Sequence, residues 1–519
     1  MKNINFLSSI LTIGILVLLS SCGNARYKHY SEPASELSLN MLVLDYDEEN
    51  SEEYPTFDEN RFMSAKNHPL STFSLDVDVA SYGNMRRIIN QGKIPSKDVV
   101  RTEELINYFS YDYPAPTGEH PVNITTEVAP CPWKDKHKIV KIGIKAKEIP
   151  TENLPYSNFV FLIDVSGSMY GATRLELVKS SLKLLVNNLR DKDRVAIVVY
   201  AGAAGEVLPS TKGKDRQKIL EALENLTAGG STAGGAGIQL AYKVAEKNFI
   251  PKGNNRIILC TDGDFNVGIS SNSELEKLIE SKRETGIYLT ILGYGMGNYK
   301  DDKLQTLSQK GNGNHAYIEN IQEANKVLVQ EFGSTMYAVA NDVKLQIEFN
   351  PVHVNYYRLI GYETRLLNDE DFNDDKKDAG ELGSGHTVTA LYEIIPAGVE
   401  NPYKGNVDDL KYQQEKTNIG NSSEMLTVKL RYKKPGESES KKLEVPVSSI
   451  SDETQAISKD FKFAVSVAMF GQLLRDSEFK GDATYSKVID LAKEGIDNDE
   501  YGYRREFVRL AEAVNQMAK

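Results

Sequence analysis

Cysteine, tryptophan and histidine are scarce in this 519-residue chain, with three, one and seven copies. Three cysteines cannot build the dense disulfide framework of a small secreted scaffold. His68, His315, His353 and His386 show no close spacing of metal-ligand type. Basic residues are outnumbered, 61 Lys and Arg against 73 Asp and Glu, so the net charge of −12 lacks the basic footprint of a nucleic-acid binder. No Gly-x-x-x-x-Gly-Lys-Ser/Thr occurs, and the glycine-rich residues 293–297 lack the Lys-Ser/Thr of a phosphate loop. No local Ser/His/Asp or Cys/His arrangement supports nucleophilic catalysis, and the chain reads as a non-enzyme. Long apolar runs are missing too: the first, residues 7–19, is shorter than the roughly 20 residues a spanning helix needs.

That first run has the form of a secretory signal, with Lys2 ahead of it and small residues behind. Leu19-Ser20-Ser21-Cys22 resembles the lipobox of bacterial lipoproteins. The resemblance implies removal of residues 1–21 and acylation of Cys22, hence a lipid-anchored protein of the cell envelope. Gly23-Asn24 lacks the aspartate that would favour inner-membrane retention, so the outer membrane is expected, on its periplasmic or surface face. Residues 22–60 are polar and aperiodic and read as a flexible tether. Cys131 and Cys260 remain, and a disulfide between them is compatible with an oxidising compartment. Cys260 ends an apolar run, where a thiol behaves as a small hydrophobe.

The rest divides by its periodicity. Residues 61–118 hold one strand-like and two helix-like stretches, and 119–157 a β flank. From 158 to 337, apolar runs alternate with helical spacing. Phe159-Val160-Phe161-Leu162-Ile163 and Val195 to Tyr200 are continuous enough to be strands buried on both faces. Strands near 257–260 and 287–292, separated by helices and followed by a last helix near 322–337, predict an α/β fold with a doubly wound, mostly parallel sheet. From 338 to 519, alternation around 344–349, 388–394 and 427–432 predicts antiparallel β structure, and the end of the chain predicts helices.

The chemistry gathers where the first of these strands ends. Asp164-Val165-Ser166-Gly167-Ser168 offers a carboxylate and two hydroxyls, hard oxygen donors suited to Mg²⁺ or another hard divalent cation such as Mn²⁺ or Ca²⁺. Gly167 is expected to let the loop turn sharply. Gly229-Gly230-Ser231-Thr232 places the Thr232 hydroxyl at a helix start, and Thr261-Asp262-Gly263 places Asp262 at another strand end. Ligands in open α/β sheets bind at the carboxyl ends of strands, so the three loops are expected to converge on one ion.

This set, in this order, resembles the metal-ion-dependent adhesion site of the von Willebrand factor type A domain. Asp164 and Asp262 bring two negative charges, and Ser166, Ser168 and Thr232 bring none. The ion would keep its attraction for an incoming carboxylate. The resemblance implies a binding or adhesion module that grips an Asp or Glu of a protein or peptide partner. It also implies a coordination change at Thr232 and Asp262, and a shift of the last helix, between closed and open states.

Residues 74–82 (Ser-Leu-Asp-Val-Asp-Val-Ala-Ser-Tyr), Met85-Arg86-Arg87, Asn254-Asn255-Arg256, residues 263–268, and the stretches 371–375 and 386–392 are similar to a bacterial group, the YfbK-type von Willebrand factor A proteins. That likeness runs over residues 60–519 and speaks to architecture rather than activity. A second function class is a non-catalytic subunit or assembly factor working beside a membrane complex. Asp76-Val77-Asp78 superficially resembles a haloacid-dehalogenase phosphotransferase motif, but residues 61–118 are too short for that fold. The carboxylate-rich residues 369–378 could hold Ca²⁺ yet lack the glycine and glutamate of an EF-hand; a solvated charged loop is the alternative.

Overall fold

The computed structural model describes residues 52–76, 78–230, 234–263, 272–297, 299–403, 423–449 and 456–519. Cys22 and Thr232 lie outside them. At the centre is a six-stranded sheet. Its strands are β1 (Ser157–Asp164), β2 (Arg194–Tyr200), β3 (Ala204–Lys212), β4 (Asn254–Thr261), β5 (Ile287–Gly293) and β6 (His315–Tyr317). They lie in the order β6-β5-β4-β1-β2-β3, all parallel except β3, which runs antiparallel to β2 at the edge.

Every residue of β1 and β4 is buried, as their apolar runs require. Phe159, Phe161 and Ile163 face a core shared with Leu175–Asn187 and Arg216–Glu224. Val160 and Leu162 face the opposite core with Gly234–Lys247, Asn272–Glu284 and Asp301–Lys310. Helices on both faces make the sheet doubly wound. The last helical stretch is not uniform: Ile321–Asn325 and Phe332–Met336 are joined by a π-helical turn, Lys326–Gln330. Such turns widen the helix locally and recur at functional sites.

Flanking segments from before and after this unit pair with one another. One antiparallel sheet has the order Met63–Ser64, Val354–Ile360, Thr387–Pro396, Lys138–Ala146, Val122–Pro130. The other has Gly380–Gly383, Ala338–Phe349, Glu424–Lys433 and Ser440–Ser448, with Leu70–Ser74 also paired to Ala338–Phe349. Val140, Ile142, Ala390 and Tyr392 of the first sheet meet Leu345, Ile347, Val428 and Leu430 of the second in one core. The outer face of the first sheet, through Ile139, Ile360 and Leu391, packs on helices Thr102–Asn107, Lys459–Leu474 and Tyr503–Met517. The α/β unit is thus inserted in a sandwich whose halves lie on either side of it in sequence.

Buried charges weld insert to frame. Arg101, fully buried, contacts Asp301 at 2.6 Å and Glu104 at 2.5 Å. Arg365 holds Asp76 and Asp78, each at 2.9 Å, and the Asp78 carboxylate accepts the His315 backbone N–H. The paired aspartates of the phosphotransferase-like motif are therefore an interface element. Arg86, on helix Ala80–Asn90, binds Glu319, Glu323 and Glu506, so it joins the start of the last insert helix to the C-terminal helix. Within the stretch read as tether, residues 52–60 pack on this body. Glu52 pairs with Arg87 at 2.8 Å, Glu59 pairs with Arg475 at 3.0 Å, and the Glu53 N–H donates to the Tyr299 carbonyl. Two charged anchors fix a segment whose composition alone could not. Cys131 and Cys260 are both buried and unbonded, in separate cores.

Candidate metal centre

Asp164 is the last residue of β1, and the chain then enters a short 3₁₀ turn, Gly167–Met169. One Asp164 oxygen, Oδ1, accepts the Ser166 N–H at 2.8 Å, which folds the loop back over the strand end. The Ser166 and Ser168 hydroxyl oxygens are 3.1 Å apart. Ser166 is buried and Ser168 exposed, so the oxygen cluster opens outward. Asp262 follows β4, the neighbour of β1, and is 2 % exposed.

Two backbone hydrogen bonds lace the loops together. Gly229 N–H donates to the Val165 carbonyl at 2.7 Å, and Gly167 N–H donates to the Gly230 carbonyl at 3.0 Å. The Gly229-Gly230 turn is thus fixed against the Asp164–Ser168 loop two residues before Thr232. The left-handed backbone belongs to Gly230, at φ +94°, and not to Gly167, whose added Cβ would meet only the Gly230 carbonyl at an ordinary 3.5 Å. The sharp turn expected of Gly167 is made elsewhere.

Burial pushes the Asp164 carboxyl up to about 6, opposed by the Ser166 hydrogen bonds and reinforced by the charge of Asp262. Its Oδ2 is buried with no donor in hydrogen-bonding geometry, although the Tyr200 hydroxyl lies near enough to favour the ionised form. Two carboxylates brought together out of water, one with a bare oxygen, is an arrangement that a bound cation would relieve. The donor set is all oxygen and fits Mg²⁺, Mn²⁺ or Ca²⁺. Four of the five predicted site residues, Asp164, Ser166, Ser168 and Asp262, come to one edge of the sheet.

Part of the rim was legible in the sequence, where the glycine-rich residues 293–297 after a strand read as shaping the edge of the site, whereas nothing there marked Tyr170. Tyr170 stands 82 % exposed just past Ser168, and Met296 is 39 % exposed on the loop after β5. Arg174 holds that loop by donating to the Met296 carbonyl at 2.8 Å. The acidic loop at 369–378 is a different matter. Asp369–Asn373 is a 3₁₀ turn closed by an Asn368–Asp371 capping box, and Asp375 and Asp378 pair with Arg431 and Arg283. Three of its carboxylates, Asp371, Asp375 and Asp378, thus face cations of the protein. Among the described residues no three His, Cys, Asp or Glu side chains are grouped for a metal. Likewise, among those residues no helix is long and apolar enough to cross a membrane.

Family models match three consecutive stretches: von Willebrand factor over residues 48–141, von Willebrand factor type A domain over 158–331, and the C-terminal region of uncharacterized protein YfbK over 334–517. The chain is 42 % identical over 471 residues to uncharacterized protein YfbK of Escherichia coli K12, covering 89 % of this chain and 81 % of that one. It is 27 % identical to the magnesium-chelatase 67 kDa subunit of Chlorobaculum parvum, over 38 % of this chain and 36 % of the subunit. A solved von Willebrand factor type A protein from Catenulispora acidiphila matches 72 % of this chain and 86 % of its own, at 19 % identity and a TM-score of 0.39. The inserted α/β unit is a von Willebrand factor type A domain, an interaction module. The chain belongs to the YfbK family of von Willebrand factor type A domain proteins.

Proposed function

We propose that this protein is a lipid-anchored binding module of the cell envelope that holds an acidic side chain of a protein partner through a divalent cation. The observation that carries the reading is Asp164: a buried carboxylate with one bare oxygen, beside Asp262, at the open carboxyl edge of the sheet. Asp164, Ser166, Ser168, Thr232 and Asp262 would hold Mg²⁺, Mn²⁺ or Ca²⁺. The ion supplies a positive centre to which an Asp or Glu carboxylate of the partner can bind. The exposed Tyr170 beside Ser168 gives that partner an apolar surface to lie on.

The lipobox-like Cys22 supports attachment to the membrane, and the outer membrane is the proposed address. The test is capture of partners from solubilised membranes in magnesium, against the same capture in EDTA and with Asp164→Ala. Partners retained equally in all three would reject the metal bridge. Radiolabelled palmitate incorporation into wild type but not Cys22→Ser tests the anchor.

A second reading is supported by the similarity to a magnesium-chelatase subunit: a non-catalytic component of a membrane-associated complex. Recovery of unlipidated protein from the cytoplasm would favour it.

A further inference from the structure

The opposite end of the sheet from Asp164 carries a second polar site. Arg256 is the third residue of β4, six residues before Asp262 and so roughly 20 Å from it along the strand. It is 3 % exposed. Its Nη1 donates to the Thr290 hydroxyl at 2.7 Å and its Nε to the Asn254 side chain at 3.5 Å, with the guanidinium over the Tyr288 ring at 5.4 Å. A guanidinium has five N–H donors, and these contacts use two. Among the described residues no carboxylate lies within ion-pair distance of it.

Arg256 lines a cavity of about 190 Å³ between the type A domain and the sandwich. Three carboxylates share the lining: Asp76, Asp378 and Glu381. Asp76 is matched by Arg365 and Asp378 by Arg283. Glu381 has only the Asn312 amide, at 3.0 Å, and the uncontacted charge of Arg256. Burial pushes the Glu381 carboxyl up to about 7, and burial likewise lowers the affinity of Arg256 for its proton. One cation and one anion thus face a common space, each held by a neutral neighbour rather than by the other.

We propose that this cavity binds a small zwitterion bearing a carboxylate and an ammonium group, a free α-amino acid being the simplest. Arg256 takes the carboxylate in a two-pronged hydrogen bond, and Glu381 takes the ammonium. A simple anion would leave Glu381 without a partner, and a simple cation would have to lie against an arginine that no carboxylate contacts. The volume is below the roughly 300–1,000 Å³ of a drug-sized site, which limits the ligand to metabolite size. Because domain and frame each supply a wall, occupancy would also brace the junction between them.

The probes are the proteinogenic amino acids, tested singly on the full chain in detergent by equilibrium dialysis and thermal unfolding. Acetate and methylammonium at equal concentration serve as single-charge controls. At least one amino acid is expected to bind saturably and raise the unfolding temperature, while the controls do neither. Arg256→Gln and the nearly isosteric Glu381→Gln should each weaken binding tenfold or more. Should Arg256→Gln fail to fold, Glu381→Gln alone decides. The proposal is overturned if no amino acid binds the wild type up to about 10 mM, a concentration at which even a millimolar site fills. It is equally overturned if acetate binds as well as any amino acid, or if the folded variants bind like wild type.

Discussion

The Arg101 guanidinium lies 2.6 Å from the Asp301 carboxylate with both side chains wholly out of contact with solvent. One partner belongs to the frame and the other to the inserted type A domain, so this pair fixes how the insert sits. A buried pair is a poor source of net stability, because desolvation offsets its Coulomb attraction, but removing one partner strands the other. Arg101→Ala leaves Asp301 and Glu104 buried without their cation. Unfolding in urea should show a loss of about 3–5 kcal/mol. Arg101→Met combined with Asp301→Leu and Glu104→Gln should recover much of it, a test of whether the two stranded charges are the cause.

The metal site carries the opposite prediction for its own residue. Burial and Asp262 hold Asp164 at a raised pKa in the metal-free protein, so its ionised form opposes folding at neutral pH. In EDTA, Asp164→Asn should therefore be more stable than wild type, by about 1–3 kcal/mol. Magnesium should reverse the order: wild type gains about 2.7 kcal/mol at a hundredfold excess over Kd, and the variant gains little. Thermal unfolding of both proteins with and without magnesium checks both signs. A wild type that gains nothing from the ion would remove the metal from the account.

Acid should loosen the region around the π-turn. His386 lines the clefts beside Glu331 and Ser334, and although partly solvent-touched it is held down to about 4 by burial, with Lys326 and Lys145 adding repulsion. A histidine whose folded pKa lies below its unfolded value of 6.5 contributes no penalty above 6.5. Stability is then lost as pH falls from 6.5 toward 4, because the unfolded chain takes up the proton first. Unfolding free energy measured across that window should fall less steeply in His386→Gln, by up to about 1.4 kcal/mol per pH unit. Identical slopes would mean that His386 is hydrated enough to titrate normally.

How much of this was readable depends on what each residue faces. The five apolar residues before Asp164 announce a strand covered on both sides, and the site follows because that strand's carboxyl end must carry its loop. β3 was missed because it is an exposed edge, interrupted by Pro209 and Gly205, with no alternation to detect. Val354–Ile360 was missed for the reverse reason. Tyr357 and Leu359 enter the sandwich core while Arg358 and Ile360 are buried on the helical side, so no polar face marks the period. The sandwich pairs residues as far apart as Phe73 and Leu345, and local periodicity cannot report a partner at that distance.

A last prediction concerns how the site is supported from below. Gly237 lies in helix Gly234–Lys247, where a Cβ would fall 2.8 Å from the Tyr200 Cβ and 3.1 Å from its ring. Tyr200 ends β2, and its carbonyl accepts the Val165 N–H at 3.0 Å, so it braces the Asp164–Ser168 loop directly. Gly237→Ala must push the helix off the sheet or displace Tyr200. The helical propensity gain of alanine, about 1 kcal/mol, is outweighed by overpacking of about 1–3 kcal/mol. The displacement reaches the metal loop through that hydrogen bond and through the Tyr200 hydroxyl beside Asp164, so magnesium affinity should fall along with stability. Calorimetric titration of the folded variant separates the two: lower stability with unchanged magnesium affinity would show that the helix yields and Tyr200 stays in place.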